Sequence, residues 1–134
     1  MSRKKVIVLG AGMVGKAMAI DLAKDYEVYS ADINTEALQR LEKHGVRTIH
    51  ADLTSKELIQ SLIEDKDLVI GAVPGFMGFE TLKTVIKTKK NASDISFFDE
   101  DPFLLDALAK QNGVTAVMDV GVAPGMDNII LGYH

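Results

Sequence analysis

An α/β domain built on a doubly wound parallel sheet is the fold class that the sequence predicts, and three observations predict it. Short β-branched or apolar runs alternate strictly with longer stretches of helical apolar spacing. The connections between them are short, and a glycine-rich turn follows the first run directly. Strands that alternate with helices need crossover connections, so they pair in parallel and are covered on both faces. The chain's 134 residues fit one such domain, and 47% apolar with 25% charged residues is ordinary globular composition, which excludes intrinsic disorder.

The elements follow in order. Val6-Ile7-Val8-Leu9 is a buried-type strand ending at Gly10, and apolar residues then recur at Val14, Ala17, Met18, Leu22 and Ala23 with helical spacing over residues 13–23. Residues 27–31 form a second strand, after which Asn34 or Thr35 caps a helix carrying Ala37, Leu38 and Leu41, ended by Gly45. A third strand spans residues 46–50, and Thr54 or Ser55 caps the helix of Leu58, Ile59, Leu62 and Ile63. Residues 67–72 are the fourth strand, followed by a helix over 76–87 with Phe79, Leu82, Val85 and Ile86 on one side. Residues 94–98 are a fifth strand, Pro102 opens a helix holding Phe103, Leu104 and Leu108, and residues 114–118 are a sixth strand. With right-handed crossovers, six strands and helices on both faces give the dinucleotide-binding (Rossmann) topology.

Charge and cysteine content exclude several functions. A formal net charge of -4 argues against electrostatic capture of nucleic acid or of an anionic membrane. The Arg3-Lys4-Lys5 cluster reads as a solvated lead-in to the first strand. Without cysteine there is no disulfide framework, thiolate metal site or cysteine nucleophile. The most apolar stretch, 6–23, is interrupted by Gly10, Gly12, Gly15, Lys16 and Asp21, which suits neither a membrane span nor a signal peptide. The expectation is a cytoplasmic protein.

Chemistry is concentrated where strands end. Gly10-Ala11-Gly12-Met13-Val14-Gly15 is a G-x-G-x-x-G between the first strand and the first helix. Gly10 permits the tight turn, Gly12 lets a pyrophosphate approach the backbone, and Gly15 lets the helix lie close to the sheet. A dinucleotide is therefore expected against Gly10, Gly12, Met13, Val14 and Gly15, with its phosphates at the helix N-terminus. Asp32 closes the second strand near the offset of a ribose-binding acid, where a carboxylate accepts the ribose hydroxyls and repels a 2′-phosphate. Ile33-Asn34-Thr35 offers no arginine for such a phosphate, so NAD is favoured over NADP. Asp52, after the third strand, either accepts from the adenine amino group or caps the next helix. Ala72, Val73 and Pro74 follow the fourth strand at the carboxyl edge, where they line the pyrophosphate and nicotinamide ribose or simply turn the chain.

Other candidates read as structural. The acid run Asp99-Glu100-Asp101 before Pro102 complements a helix N-terminus, and no metal site is expected there. His44, His50 and His134 read as surface residues, and Met13, Met18, Met77, Met118 and Met126 as core or pocket filling. Tyr26, Tyr29 and Tyr133 have no lysine four residues later, which excludes the tyrosine–lysine proton transfer of extended short-chain epimerases.

The end of the chain is distinctive. Asp119-Val120-Gly121-Val122-Ala123-Pro124-Gly125-Met126-Asp127-Asn128 resembles the segment that joins the two domains of the saccharopine dehydrogenase family, a group that includes lysine 6-dehydrogenase and carboxynorspermidine dehydrogenase-like enzymes. The similarity extends through Gly10-Ala11-Gly12, Ala31-Asp32, Ala72-Val73-Pro74 and residues 94–98. The resemblance implies an amino-acid dehydrogenase acting at a carbon–nitrogen bond, with hydride passing between the amine-bearing carbon and nicotinamide through an imine. It carries Gly10, Gly12, Gly15 and Asp32 over as cofactor residues, with Ala72, Val73 and Pro74 beside them and residues 119–125 framing the nicotinamide end. It also implies a substrate-binding domain beyond residues 1–120, with 121–134 as the start of the connection, and a small amino-acid substrate. No general base is assigned, and Asp119 reads mainly as structural. The apolar segment 126–133 calls for cover from that domain, from a second copy in a homodimer, or from its own sheet. The alternative is a nucleotide-sensing module of a potassium transport system, which residues 6–52 also resemble.

Overall fold

The computed structural model describes residues 3–121 and 125–133, with the side chain of Tyr133 left aside. The strands are β1 (Lys5–Leu9), β2 (Glu27–Asp32), β3 (Arg47–His50), β4 (Leu68–Gly71), β5 (Ala92–Asp94) and β6 (Ala116–Val117). The helices are α1 (Met13–Leu22), α2 (Thr35–Glu42), α3 (Lys56–Ile63), α4 (Gly75–Lys87), α5 (Asp106–Asn112) and α6 (Met126–Tyr133), with a 3-10 turn at Pro102–Leu105 before α5. All six strands form one parallel sheet in the order β3-β2-β1-β4-β5-β6. The order reverses between β1 and β4, so that a crevice opens at the carboxyl ends of these two strands.

Both faces of β1 are buried, which is why it reads as a continuous apolar run rather than an alternating one. Ile7 and Leu9 point into the core formed with Val69, Ile59, Ile63, Leu82 and Ile86, beneath α3 and α4. Val6 and Val8 point the other way, into the cluster of Ala19, Val28, Leu38 and Leu41 beneath α1 and α2. At about 1.5–3 kcal/mol per fully buried aliphatic side chain, this strand anchors both layers. Asn34 and Ser55 cap α2 and α3, accepting from the amides of Ala37 and Leu58 at 3.2 and 3.3 Å.

Four expectations are corrected. The fifth strand is Ala92–Asp94, not residues 94–98. Gly71, the last residue of its neighbour β4, pairs with Asp94, and the ladder ends once the Ile95 amide bonds the Gly71 carbonyl at 3.0 Å. Residues 95–98 leave the sheet and lie on α4 instead, with Phe98 edge-on to Phe79 at 5.7 Å. The sixth strand is likewise only Ala116–Val117, because β5 presents few residues to pair with it. Met13 and Met126 are exposed, at 91% and 49%, and so are not core residues. Phe103 and Leu104 are also exposed on the 3-10 turn, leaving Leu105 as the residue that it buries.

Ser30 in β2 is fully buried, and its hydroxyl has no hydrogen-bond partner among the described residues. A buried hydroxyl without a partner costs about 1–3 kcal/mol. Ser30→Ala is therefore expected to leave the urea-unfolding free energy unchanged or to raise it by about 1 kcal/mol. A loss of more than about 1 kcal/mol on denaturant titration would contradict this.

Candidate functional site: a dinucleotide crevice

The crevice is built by close backbone approach. Gly10 has φ +110, and a Cβ there would overlap the Ala72 carbonyl oxygen. A Cβ on Gly15 would overlap the Gly10 carbonyl and come within 3.3 Å of the Ala72 Cβ. The Gly10 amide bonds the Ala31 carbonyl and the Ala72 amide bonds the Leu9 carbonyl, both at 2.9 Å, so three strand exits are tied together here. Gly12 differs: its φ of -68 suits any residue, and among the described residues nothing lies within 4 Å of where its Cβ would be. It opens onto free space at the start of α1.

The helices at this edge have two kinds of N-terminus. Those of α2, α3 and the 3-10 turn donate an amide to a side-chain oxygen, the last to Asp101, whose Oδ1 accepts from the Phe103 amide at 3.0 Å. Those of α1 and α4, which flank the crevice, have no side-chain cap and no acidic residue in their first turns. In α1 the first intrahelical bond runs from the Lys16 amide to the Gly12 carbonyl at 2.8 Å. The amides of Met13, Val14 and Gly15 precede it, at the positive end of the helix dipole. Met13 and Val14 are exposed and Gly15 is buried against the sheet. An anion seated over Gly12 would meet these amides without displacing a protein group.

Asp32 lies beside this turn. Its Oδ2 accepts from the Ala11 amide at 2.6 Å and its Oδ1 from the Asn34 amide at 2.8 Å. Each carboxylate oxygen keeps a further lone pair, so the group can also accept ribose hydroxyls. Next to it, His50 Nε2 donates to the Ile33 carbonyl at 3.0 Å, tying β3 to the chain leaving β2. His44 and His50 are exposed, as expected. Asp52 is more committed: its Oδ1 accepts from the Thr54 hydroxyl at 2.6 Å and the Thr54 amide at 3.0 Å. These bonds hold its carboxyl below the usual range. It forms the turn before α3, and Ser55 caps that helix.

Ala72, Val73 and Pro74 lead from β4 into α4 on the opposite wall, with Val73 buried and Pro74 exposed. Asp119 is exposed, at φ +56. Gly121 and Gly125 form a parallel bridge and the Met126 amide bonds the Gly121 carbonyl at 2.8 Å. Residues 122–124 of the expected turn, and His134, lie outside the described residues.

Asp94 was not singled out from the sequence, because its strand was placed too late. It is 1% exposed, and its Oδ1 accepts from the Ser96 amide and hydroxyl at 2.7 and 2.5 Å. Burial pushes its carboxyl up, with the neighbouring charge of Asp119 adding to the effect against the Ser96 bonds. The signal that finds it is positional, since Asp94 ends β5 as Asp32 ends β2.

An uncapped helix behind a glycine turn, with an acid at the next strand exit, defines the dinucleotide-binding class of α/β domains. The family model described as saccharopine dehydrogenase NADP binding domain matches residues 6–117, and the chain belongs to that family. Rat mitochondrial alpha-aminoadipic semialdehyde synthase is 26% identical over 133 residues, covering 96% of this chain and 14% of that protein. Saccharopine dehydrogenase [NADP(+), L-glutamate-forming] of Saccharomyces cerevisiae is 27% identical over 129 residues, covering 94% of this chain and 29% of the yeast protein. The structure of apo saccharopine dehydrogenase (L-Glu forming) from the same yeast superposes with a TM-score of 0.81 at 26% identity, over 92% of this chain and 28% of that one. The chain thus spans less than a third of the length of these relatives. The family match bears out the resemblance read from the motifs and goes to the dehydrogenase reading, not to a potassium-transport sensor. Among the described residues no helix is long and apolar enough to cross a membrane.

Two measurements check the site. Gly10→Ala places a Cβ on a carbonyl at positive φ and is expected to cost more than about 2 kcal/mol, read as a fall in urea midpoint. For Asp94, the folded state holds the proton more tightly than the unfolded chain. Its contribution to stability is therefore complete below the unfolded value of about 3.9 and is lost as pH rises through the raised folded value. Asp94→Asn should accordingly gain in melting temperature relative to the parent between pH 4 and pH 8. A difference that stays constant over that range would refute the raised value.

Proposed function

We propose that this chain is the NAD-binding part of an amino-acid dehydrogenase acting at a carbon–nitrogen bond. The observation that carries the binding role is Gly12, a glycine that neither backbone angle nor packing requires, placed over the unpartnered first turn of α1. Only something outside the chain benefits from the missing side chain. The residues present fit a dinucleotide: Gly10, Gly12, Met13, Val14 and Gly15 at its phosphates, Asp32 at the adenosine ribose, Asp52 toward the adenine, and Ala72, Val73 and Pro74 along the nicotinamide side. When bound, such a cofactor supplies a two-electron hydride acceptor, which is what oxidation of an amine carbon needs. The substrate class rests on the named relatives, which are saccharopine dehydrogenases and aminoadipic semialdehyde synthases.

Preference for NAD departs from the family's description and from the yeast relative's name, both of which specify NADP. Asp32 is the reason. A 2′-phosphate brought about 4 Å from its carboxylate would be repelled by up to about 4 kcal/mol per unit charge at an effective dielectric near 20, less where water screens the pair. Ile33, Asn34 and Thr35 supply no cation in compensation. Residues 121–134 are assigned to the connection with a substrate-binding unit. The exposed Met126, Ile129, Ile130 and Leu131 of α6 give that helix an apolar surface suited to burial against it.

Fluorescence titration tests the binding role and the cofactor preference separately. NADH is expected to bind at least about tenfold tighter than NADPH, the equivalent of ~1.4 kcal/mol, and Asp32→Ser should narrow that ratio. Tighter NADPH binding by the parent would reverse the assignment. Gly12→Val is expected to melt within a degree or two of the parent, because its side chain enters open space, yet to lose most affinity for either dinucleotide. Unaltered affinity in that variant would remove the phosphate site from α1.

A further inference from the structure

The sheet is made of two β-α-β-α-β halves, and Asp32 and Asp94 occupy equivalent places in them. Each is the last residue of its half's second strand, and each accepts through Oδ1 from the amide two residues on, Asn34 for Asp32 and Ser96 for Asp94. Asp32 also reaches back to the turn after its half's first strand, through the Ala11 amide. Asp94 faces the corresponding place: a Cβ on Gly71, the last residue of β4, would come within 2.9 Å of the Asp94 Oδ2. The difference is burial, for Asp32 is half-buried at the crevice whereas Asp94 is 1% exposed. Asp94 therefore touches no ligand. What it holds is Ser96 and the chain that follows.

That chain is seated directly on the first turns of α4. A Cβ on Gly75 would overlap the Phe97 carbonyl, and one on Gly78 would overlap the Ser96 hydroxyl and come within 2.8 Å of the Phe98 ring. Three glycines of the β4–α4 unit thus make room for residues 94–98. None of the three has a positive φ. The helix N-terminus located in this way is the uncapped one on the nicotinamide half of the crevice.

We propose that Asp94 is a positioning residue for the nicotinamide half of the bound dinucleotide, acting through Ser96 on the N-terminus of α4. The proposal rests on the dinucleotide assignment above and adds to it a division of labour. Asp32 and α1 hold the adenosine diphosphate half, while Asp94, Ser96 and α4 hold the other. Asp94 accepts through one oxygen, from the Ser96 amide and hydroxyl, and an amide oxygen accepts in the same way, so Asn is a conservative replacement.

Calorimetric titration of the parent, Asp94→Asn, Asp94→Ala and Ser96→Ala with ADP and with NADH tests this, with thermal melts confirming that each variant is folded. If the parent prefers NADPH, that cofactor and 2′-phospho-ADP replace the pair. Asp94→Ala and Ser96→Ala are expected to bind NADH about tenfold more weakly, the loss of one buried hydrogen bond, and ADP within about twofold of the parent. Asp94→Asn should bind both as the parent does. If Asp94→Ala fails to fold, Ser96→Ala decides. Variants that bind NADH normally, or that lose ADP in step with NADH, would overturn the positioning role and leave the dinucleotide assignment standing. A parent that binds neither ligand would overturn that assignment and this proposal with it.

Discussion

The meeting of two backbones at the end of β1 and β4 is the constraint on which the rest of the structure depends. The Ala72 carbonyl occupies the space that a side chain on Gly10 would need, and the Gly10 carbonyl occupies the space that one on Gly15 would need. With both positions bare, α1 lies on the sheet close beside the exit of β4. Its first amides then open onto the reversal in strand order, where the crevice must be. A larger residue at either place would push the helix outward and separate the dipole from the site that it serves. The packing of α1 and the placement of its first amides therefore rest on the same few atoms.

Charge placement follows from that geometry. Where a helix begins away from the crevice, a side chain satisfies its first amides: Asn34 for α2, Ser55 for α3 and Asp101 for the 3-10 turn. Where a helix begins at the crevice, no side-chain cap is present and the first turn carries no acid. Carboxylates stand instead at strand exits. Asp32 is accessible and keeps lone pairs for a sugar, whereas Asp94 is sealed by residues 95–98. Similar positions in the two halves thus serve different purposes because one is covered and the other is open.

Much of this was legible in the chain. Continuous apolar runs at 6–9 and 68–70 mark strands buried on both faces, and the glycine spacing after Leu9 marks the phosphate turn with its adjoining acid. Less legible was the second half of the sheet. Residues 94–98 have strand composition, and the run Ile95-Ser96-Phe97-Phe98 gives no sign of leaving the ladder. It leaves because β4 ends at Gly71 and provides no further partner, a fact about a neighbouring strand. Misplacing that strand hid Asp94, whose burial depends on chain folding back from residues 95–98. It also hid the reason for Gly75 and Gly78, whose missing side chains matter only against Phe97 and Ser96.

By itself the sequence determined the order and kind of the elements, the parallel sheet, the glycine turn and the family, because these depend on local periodicity and on short motifs with a mechanical meaning. Tertiary structure alone decided where the short edge strands β5 and β6 stop. It also decided which methionines pack against the core, and that Asp94 lies inside the fold while Asp32 stands at its edge. Those properties depend on what lies opposite a residue in space. Contacts between segments twenty or more positions apart set them, and no window along the chain contains both partners.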